Sequence, residues 1–319
     1  MKKPYRLILF IVLIAGLATA LSSCSKIGGT LNKLKGSGPT VEESSDLPAR
    51  DSTPRVYLPQ APGSQTANGG GGAIDFSNAA SGYVMCKYDG SNPTIKVQVA
   101  FEGQTPYTYV LMPNVGFTAF PLSQGNGNYT VSVFTNVSGD QYAQATSTNF
   151  SAQMADEYQP FLHSNQYASF TPESALVAKA AEEAAPRKTD LGVVENIYIF
   201  VTENVTYDYA KAATVQSGYI PNPDETLATG TGICFDYASL TSSMLRSQGI
   251  PTKLVVGYAG EAYHAWISVH VPGEGWVDGV IDFKNEDWTR MDPTFSASGD
   301  KADPNQVGDG TSYSPLYDY

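Results

Sequence analysis

The sequence predicts an α+β protein in which an all-β sandwich precedes a core of helices and antiparallel strands. Three observations carry that expectation. From about Gly82 to Met154 apolar and polar residues alternate in short runs. After Thr171 the apolar period changes to that of helices with recognisable end signals. A glycine-hinged turn, Gly230-Thr231-Gly232-Ile233-Cys234-Phe235-Asp236-Tyr237, then leads through one more helix into the alternating run Tyr263 to Val269.

The sandwich is read from runs near 83–88, 94–101, 107–111, 116–121, 127–137 and 141–154. Ile95, Val97, Val99 and Phe101 share one face with Lys96 and Gln98 opposite, and Tyr129, Val131 and Val133 repeat the pattern after a Gly-Asn turn at 125–128. About six short strands suit an immunoglobulin-like sandwich, placed at residues 74–155. Tyr107, Tyr109, Phe117 and Phe120 read first as strand-forming aromatics. A glycan- or peptide-binding face there stays open.

Helices come next. Thr171-Pro172-Glu173 reads as a helix start and Pro186 as the stop after an Ala-rich run. Thr189-Asp190 opens a second helix with a stripe of Leu191, Val194, Ile197 and Val201, expected to pack beneath the cysteine helix. The stretch from Tyr207 to Pro221 reads as a long loop beside the cysteine turn. Tyr207, Tyr209 or Gln216 could donate to an oxyanion hole completed by the Cys234 N–H.

After the turn, Tyr237, Ala238, Thr241, Met244 and Leu245 recur at helical spacing until Gly249, with Pro251 beyond. Cys234 therefore falls in the first turn of a helix, where free N–H groups and the positive end of the macrodipole stabilise a thiolate. His264 lies on the following strand, with Trp266 on its face as a candidate wall of the substrate cleft and Tyr263 and Ala265 on the other. Asp292 precedes Pro293, which biases it to extended backbone. In that order the three can act as nucleophile, base and orienter.

These residues carry a resemblance. Gly232 to Ala238, Met244 to Tyr258, His264-Ala265-Trp266 and Asp292-Pro293-Thr294 resemble, in order, the transglutaminase-like core of bacterial cysteine enzymes, within the papain-like cysteine superfamily. The likeness covers roughly Asp190 to Phe295; Lys253 and Phe235 depart from the residues common at those positions. It implies a transglutaminase-like domain over 156–296 with its leading helices, a Cys234-His264-Asp292 triad, no cofactor, and acyl transfer on a peptide or protein amide. Hydrolysis by a peptidase or amidase and transamidation both remain open. So does an inactive surface protein that binds a peptide or glycan.

Lys2, Lys3 and Arg6 precede an apolar run from Leu7 to Leu21, short for a spanning helix. The run ends in Leu21-Ser22-Ser23-Cys24, which resembles a bacterial lipobox and implies a signal peptide over 1–23 and a lipid on Cys24. A flexible tether over 24–73, rich in Gly, Ser, Pro and Thr, would reach about 40 Å. The expected location is the extracellular face of a bacterial membrane, with the membrane as partner through the anchor. A formal net charge of −12 disfavours nucleic acid. Cys86 sits mid-strand with Val84 and Tyr88 and reads as a buried filler. His264 and His270 share a strand face but stand about 20 Å apart, too far for a shared metal. Residues 297–319 form a tail of Ser, Gly, Asp and Tyr.

Overall fold

The structure, a computed structural model, describes residues 43–273, 275–277 and 313–319, together with the backbone of 281–282 and 287–288. These fall in one compact unit, Pro39–Tyr319. Cys24, residues 1–23 read above as a signal peptide, and Asp292 lie outside the described residues.

The first half is two antiparallel four-stranded sheets. The strands are β1 (Thr66–Gly69), β2 (Gly72–Asp75), β3 (Tyr83–Tyr88), β4 (Ile95–Phe101), β5 (Tyr107–Leu111), β6 (Thr118–Pro121), β7 (Gly127–Ser138) and β8 (Gln141–Ala152). One sheet runs β1-β2-β3-β6 and the other β5-β4-β7-β8. In β4 alternate residues are buried, as the period of two requires. Ile95, Val97, Val99 and Phe101 join Ile74, Val84 and Cys86 of the first sheet in one hydrophobic cluster.

Two features differ from the sequence reading. The glycine run 69–72, placed in the flexible tether, is a hairpin: Gly69 pairs with Gly72, and Gly70 and Gly71 have φ of +54° and +85°. Both central residues of such a two-residue turn need positive φ, so the glycines serve the turn's geometry. Residues 43–62 are also tied down where described. The Glu43 carboxylate accepts the N–H groups of Lys188 (2.9 Å) and Thr189 (2.7 Å) and the Thr189 hydroxyl (2.6 Å). Arg50 bonds Asp190 (2.7 Å) and the Gln248 carbonyl (2.8 Å). The segment thus satisfies orphan groups at two helix ends, a role that local composition does not reveal.

The second half opens with α1 (Ala175–Ala184) and α2 (Asp190–Asn204). The α1 start lies later than Thr171, because Thr171–Ser174 closes a turn in which the Thr171 N–H donates to Ser174 Oγ at 3.1 Å. Thr189 does cap α2, its hydroxyl accepting the Gly192 N–H at 3.0 Å. The expected loop at 207–221 contains β9 (Thr206–Tyr207) and α3 (Tyr209–Thr214), capped by Asp208. Then come α4 (Pro223–Thr229), β10 (Thr231–Gly232) and α5 (Cys234–Ser247). A four-stranded antiparallel sheet follows, ordered β13 (Gly275–Val277), β12 (Ala262–Val271), β11 (Thr252–Ala259), β16 (Tyr313–Asp318). A short ladder joins β14 (Ile281–Asp282) to β15 (Asp287–Trp288).

At the centre lies α5, packed by α1, α2 and α4 and by β11 and β12. Every residue from Asp236 to Ser247 is buried. Three of its hydroxyls are reconciled with burial by bonding carbonyls of the helix: Thr241 to Tyr237 (2.8 Å), Ser243 to Ser239 (2.8 Å) and Ser247 to Met244 (2.7 Å). Tyr237 reaches sideways to the Val205 carbonyl (2.6 Å) just past α2.

Tyr109, Tyr167 and Tyr319 pack together where the sheets of the first half meet β16, with ring centroids 4.8–5.8 Å apart. Burial raises these phenols, and that of Tyr129, well above the ordinary tyrosine value. Above pH about 10 the unfolded chain sheds phenolic protons that the folded chain keeps, so stability must fall as pH rises. Exposed tyrosines such as Tyr209 should ionise first, and a second rise in phenolate absorbance, from the buried phenols, should coincide with loss of tertiary structure. Gradual ionisation of all tyrosines before unfolding would contradict this burial.

Candidate active site

The cysteine turn is built from backbone constraints. Gly230 ends α4 with φ of +62°, and a Cβ there would stand 2.9 Å from the Asn204 carbonyl. Parallel pairing of β10 with β9 then fixes the strand entering α5, through Thr206 N–H to Gly230 O (2.8 Å) and Asp208 N–H to Gly232 O (2.9 Å). Ile233 is extended and Cys234 is the first helical residue. The Ile233 carbonyl accepts the Asp236 and Tyr237 N–H groups at 2.9 and 3.1 Å. Among the described residues, the N–H groups of Cys234 and Phe235 have no acceptor. The two free thiols differ sharply: Cys86 is fully buried and its thiol is pushed up by desolvation, whereas Cys234 is half-buried at the open end of a helix.

Beside Cys234 is an ionic cluster that the sequence reading missed. Asp236 is 0% exposed, and one of its oxygens accepts both the Ile233 N–H (2.9 Å) and Lys211 Nζ (2.7 Å). Its other oxygen accepts the Tyr219 hydroxyl (2.6 Å), while Lys211 also donates to that hydroxyl (2.6 Å). Desolvation opposes the Lys211 charge, but the bonds to Asp236 and Tyr219 outweigh it and leave the ammonium above its ordinary value. Burial, with the Asp236 carboxylate behind it, pushes the Tyr219 phenol up to about 12. Gly232 permits the cluster, since a Cβ there would stand 2.6 Å from Asp236 Cβ. A cavity of about 370 Å³ borders it, lined by Asp208, Lys211, Tyr219 and Thr231 among others. An acid three residues past a helix cap was a legible signal for Asp236. Lys211 and Tyr219 carried none.

His264 is on β12, 8% exposed, with its ring 6.4 Å from those of Trp266 and Tyr313. Trp266 is buried against Val255 and Tyr313. Alternation along β12 puts Ala265, Ile267 and Val269 in the cluster that holds α5, and His264 and Trp266 on the opposite face. Tyr263, two residues before Ala265 on the α5 side of β12, is 62% exposed and packs edge-on against Tyr258, and its hydroxyl is pushed up to about 12, chiefly by desolvation. The other histidines sit elsewhere, His163 by Tyr57 and Tyr83 and His270 by Tyr158 and Trp276. Tyr209 starts α3 as an exposed side chain 4.9 Å from the Tyr207 ring. Gln216 is exposed with its amide donating to the Thr214 carbonyl (2.7 Å).

Part of this chain is similar to known proteins. Residues 178–279 match the transglutaminase-like superfamily model. The match spans Cys234 and His264 and ends before Asp292. A UPF0252 protein of Methanocaldococcus jannaschii is 30% identical over 132 residues, which cover 36% of this chain and 38% of that one. The human kyphoscoliosis peptidase is 29% identical over 148 residues, covering 40% of this chain and 22% of the peptidase. The chain therefore spans well under half the length of these curated relatives. A solved structure from Cytophaga hutchinsonii, described as a candidate cysteine protease, covers 72% of this chain and 73% of its own, with 16% identity and a TM-score of 0.35.

Proposed function

We propose that this protein is a lipid-anchored, cell-surface cysteine enzyme that transfers acyl groups at amide or peptide bonds. The observation that carries the proposal is the placement of Cys234: a free, half-buried thiol at the first residue of a buried helix, beside two N–H groups without acceptors. Such a thiolate is stabilised by the helix start, and an oxyanion formed next to it can be received by those N–H groups. The superfamily match over 178–279 supports the reading, and one relative named a peptidase favours an amide bond as substrate.

In the proposed reaction the Cys234 thiolate attacks the carbonyl carbon, and a C–S bond forms as the carbonyl becomes an oxyanion. Collapse breaks the C–N bond while the His264 imidazolium gives its proton to the departing amine. Water or a second amine then resolves the thioester, which distinguishes amidase or peptidase from transamidase. Asp292 is proposed to orient the His264 ring. Cys24 is proposed to carry the lipid that holds the enzyme at the membrane surface.

The face that His264 occupies favours a second reading. A strand that turns its histidine away from the cysteine helix suits an inactive protein that binds a peptide or glycan, with Tyr263 and Tyr258 as contact residues. The pH dependence of iodoacetamide labelling, read by peptide mass spectrometry with Cys86 as internal control, separates the two. The enzyme reading expects Cys234 to be alkylated far faster than Cys86 and to lose that advantage in His264→Ala. An ordinary thiol profile, unchanged by His264→Ala, supports the binding protein.

A further inference from the structure

The cluster formed by Asp236, Lys211 and Tyr219 has no part in the triad, yet it touches the cysteine turn directly. Three elements meet in it: the start of α5, the exposed helix α3, and the chain after α3 that carries Tyr219. No residue of α3 is buried, so apolar packing does little to hold that helix, and Lys211 is its tie to the core. At the other end of the tie, the Asp236 carboxylate pulls the Ile233 N–H inward. That bond fixes the Gly232–Ile233 peptide plane, and the Ile233 carbonyl is held in turn by the Asp236 and Tyr237 N–H groups, so the Ile233–Cys234 plane and the N–H groups that follow it are constrained from both sides.

Charge matters as well as geometry. Asp236 lies two residues from Cys234, and an unpaired buried carboxylate there would oppose any negative charge on the sulfur or on a nearby oxyanion. Lys211 and Tyr219 consume that charge while leaving the Cys234 and Phe235 N–H groups free. We propose that Asp236, clamped by Lys211 and Tyr219, is the positioning residue that aims the Cys234 and Phe235 N–H groups at the oxyanion of the acyl-transfer step. The proposal rests on Cys234 being the nucleophile.

Two reagents test it on the full chain. With p-nitrophenyl acetate the sulfur attacks the acetyl carbonyl; the C–S bond forms, the C–O bond breaks and p-nitrophenolate leaves with the electron pair, so an oxyanion develops on the way. With iodoacetamide the sulfur displaces iodide, and none does. The first variant is Tyr219→Phe, which keeps the ring against Phe235 and loses only the hydroxyl. Its acylation rate should fall by about 10- to 100-fold while alkylation of Cys234 stays near wild type. Lys211→Met should lose acylation further, and Lys211→Arg should recover part of it by restoring the charge. Cys234→Ala supplies the background. A lowered melting temperature with both rates unchanged would mean that the cluster is only a helix cap, and parallel loss of both rates would mean that it acts on the thiol itself; either overturns the proposal and leaves the nucleophile in place. Absence of acylation and of selective alkylation at Cys234 in the wild type overturns the nucleophile and the proposal together.

Discussion

Cys234→Ala is expected to abolish acyl transfer, by about a million-fold where the nucleophile of a covalent mechanism is removed, while the folded state survives. The side chain lies at the first residue of α5 and is half-buried, so truncation to alanine removes one sulfur and installs the best helix former. The melting temperature should barely move. Mass spectrometry of the protein after brief exposure to an activated ester should show a thioester on the wild type and none on the variant. Cys86→Ala is the informative companion: that thiol is fully buried between the two sheets of the first half, and its loss opens a small cavity with no effect on acylation. Undiminished turnover by Cys234→Ala would sink the covalent mechanism outright.

Arg246→Leu is expected to be the most destabilising single change outside the apolar core. Arg246 is the largest fully buried side chain among the described residues, and burial draws its guanidinium down to about 9, still charged at neutral pH. Its nitrogens donate to the carbonyls of Thr252 (2.9 Å), His163 (3.0 Å) and Tyr319 (2.6 Å). These belong to the start of β11, the segment before α1 and the residue after β16, so one side chain pins three distant parts of the chain to α5. Hydrogen bonds from a charged donor contribute about 1.5–3 kcal/mol each, and breaking a buried polar cluster on one side costs about 3–5 kcal/mol. Against a total stability of about 5–15 kcal/mol, that loss is large. Denaturant unfolding should show a lower midpoint in Arg246→Leu, with little rescue in Arg246→Lys because an ammonium cannot span three planar donor directions. A midpoint equal to that of the wild type would show that the three carbonyls find other donors.

Much of the fold was legible locally. Period-two burial in β4 and around Tyr129 is a property of the chain itself, so those strands form where alternation places them, to within a residue or two. The Thr189 cap was legible because the hydroxyl serves an N–H three residues away, and the cysteine turn because glycine positions and helical period coincide there. The start of α1 was misread because Thr171-Pro172 satisfies a turn as well as it does a helix. The glycine run at 69–72 was misread because the same composition suits a flexible linker and a tight hairpin turn.

The sequence by itself determined the type and order of the main elements, the position of Cys234 at a helix start and of His264 on a strand, since each depends on residues only a few positions apart. The tertiary structure decided which side chains surround the cysteine. Lys211, Tyr219 and Asp236 meet because α3 folds back on the cysteine turn, and Glu43 and Arg50 fasten helix ends far along the chain. Tertiary packing also set the face of β12 that turns toward α5, with Ala265, Ile267 and Val269 in its cluster and Trp266 packed instead with Val255 and Tyr313. The physical reason is the range of the interactions: propensity, capping and alternation act over a few residues, whereas a buried charge is stabilised only by whatever partners the completed fold delivers.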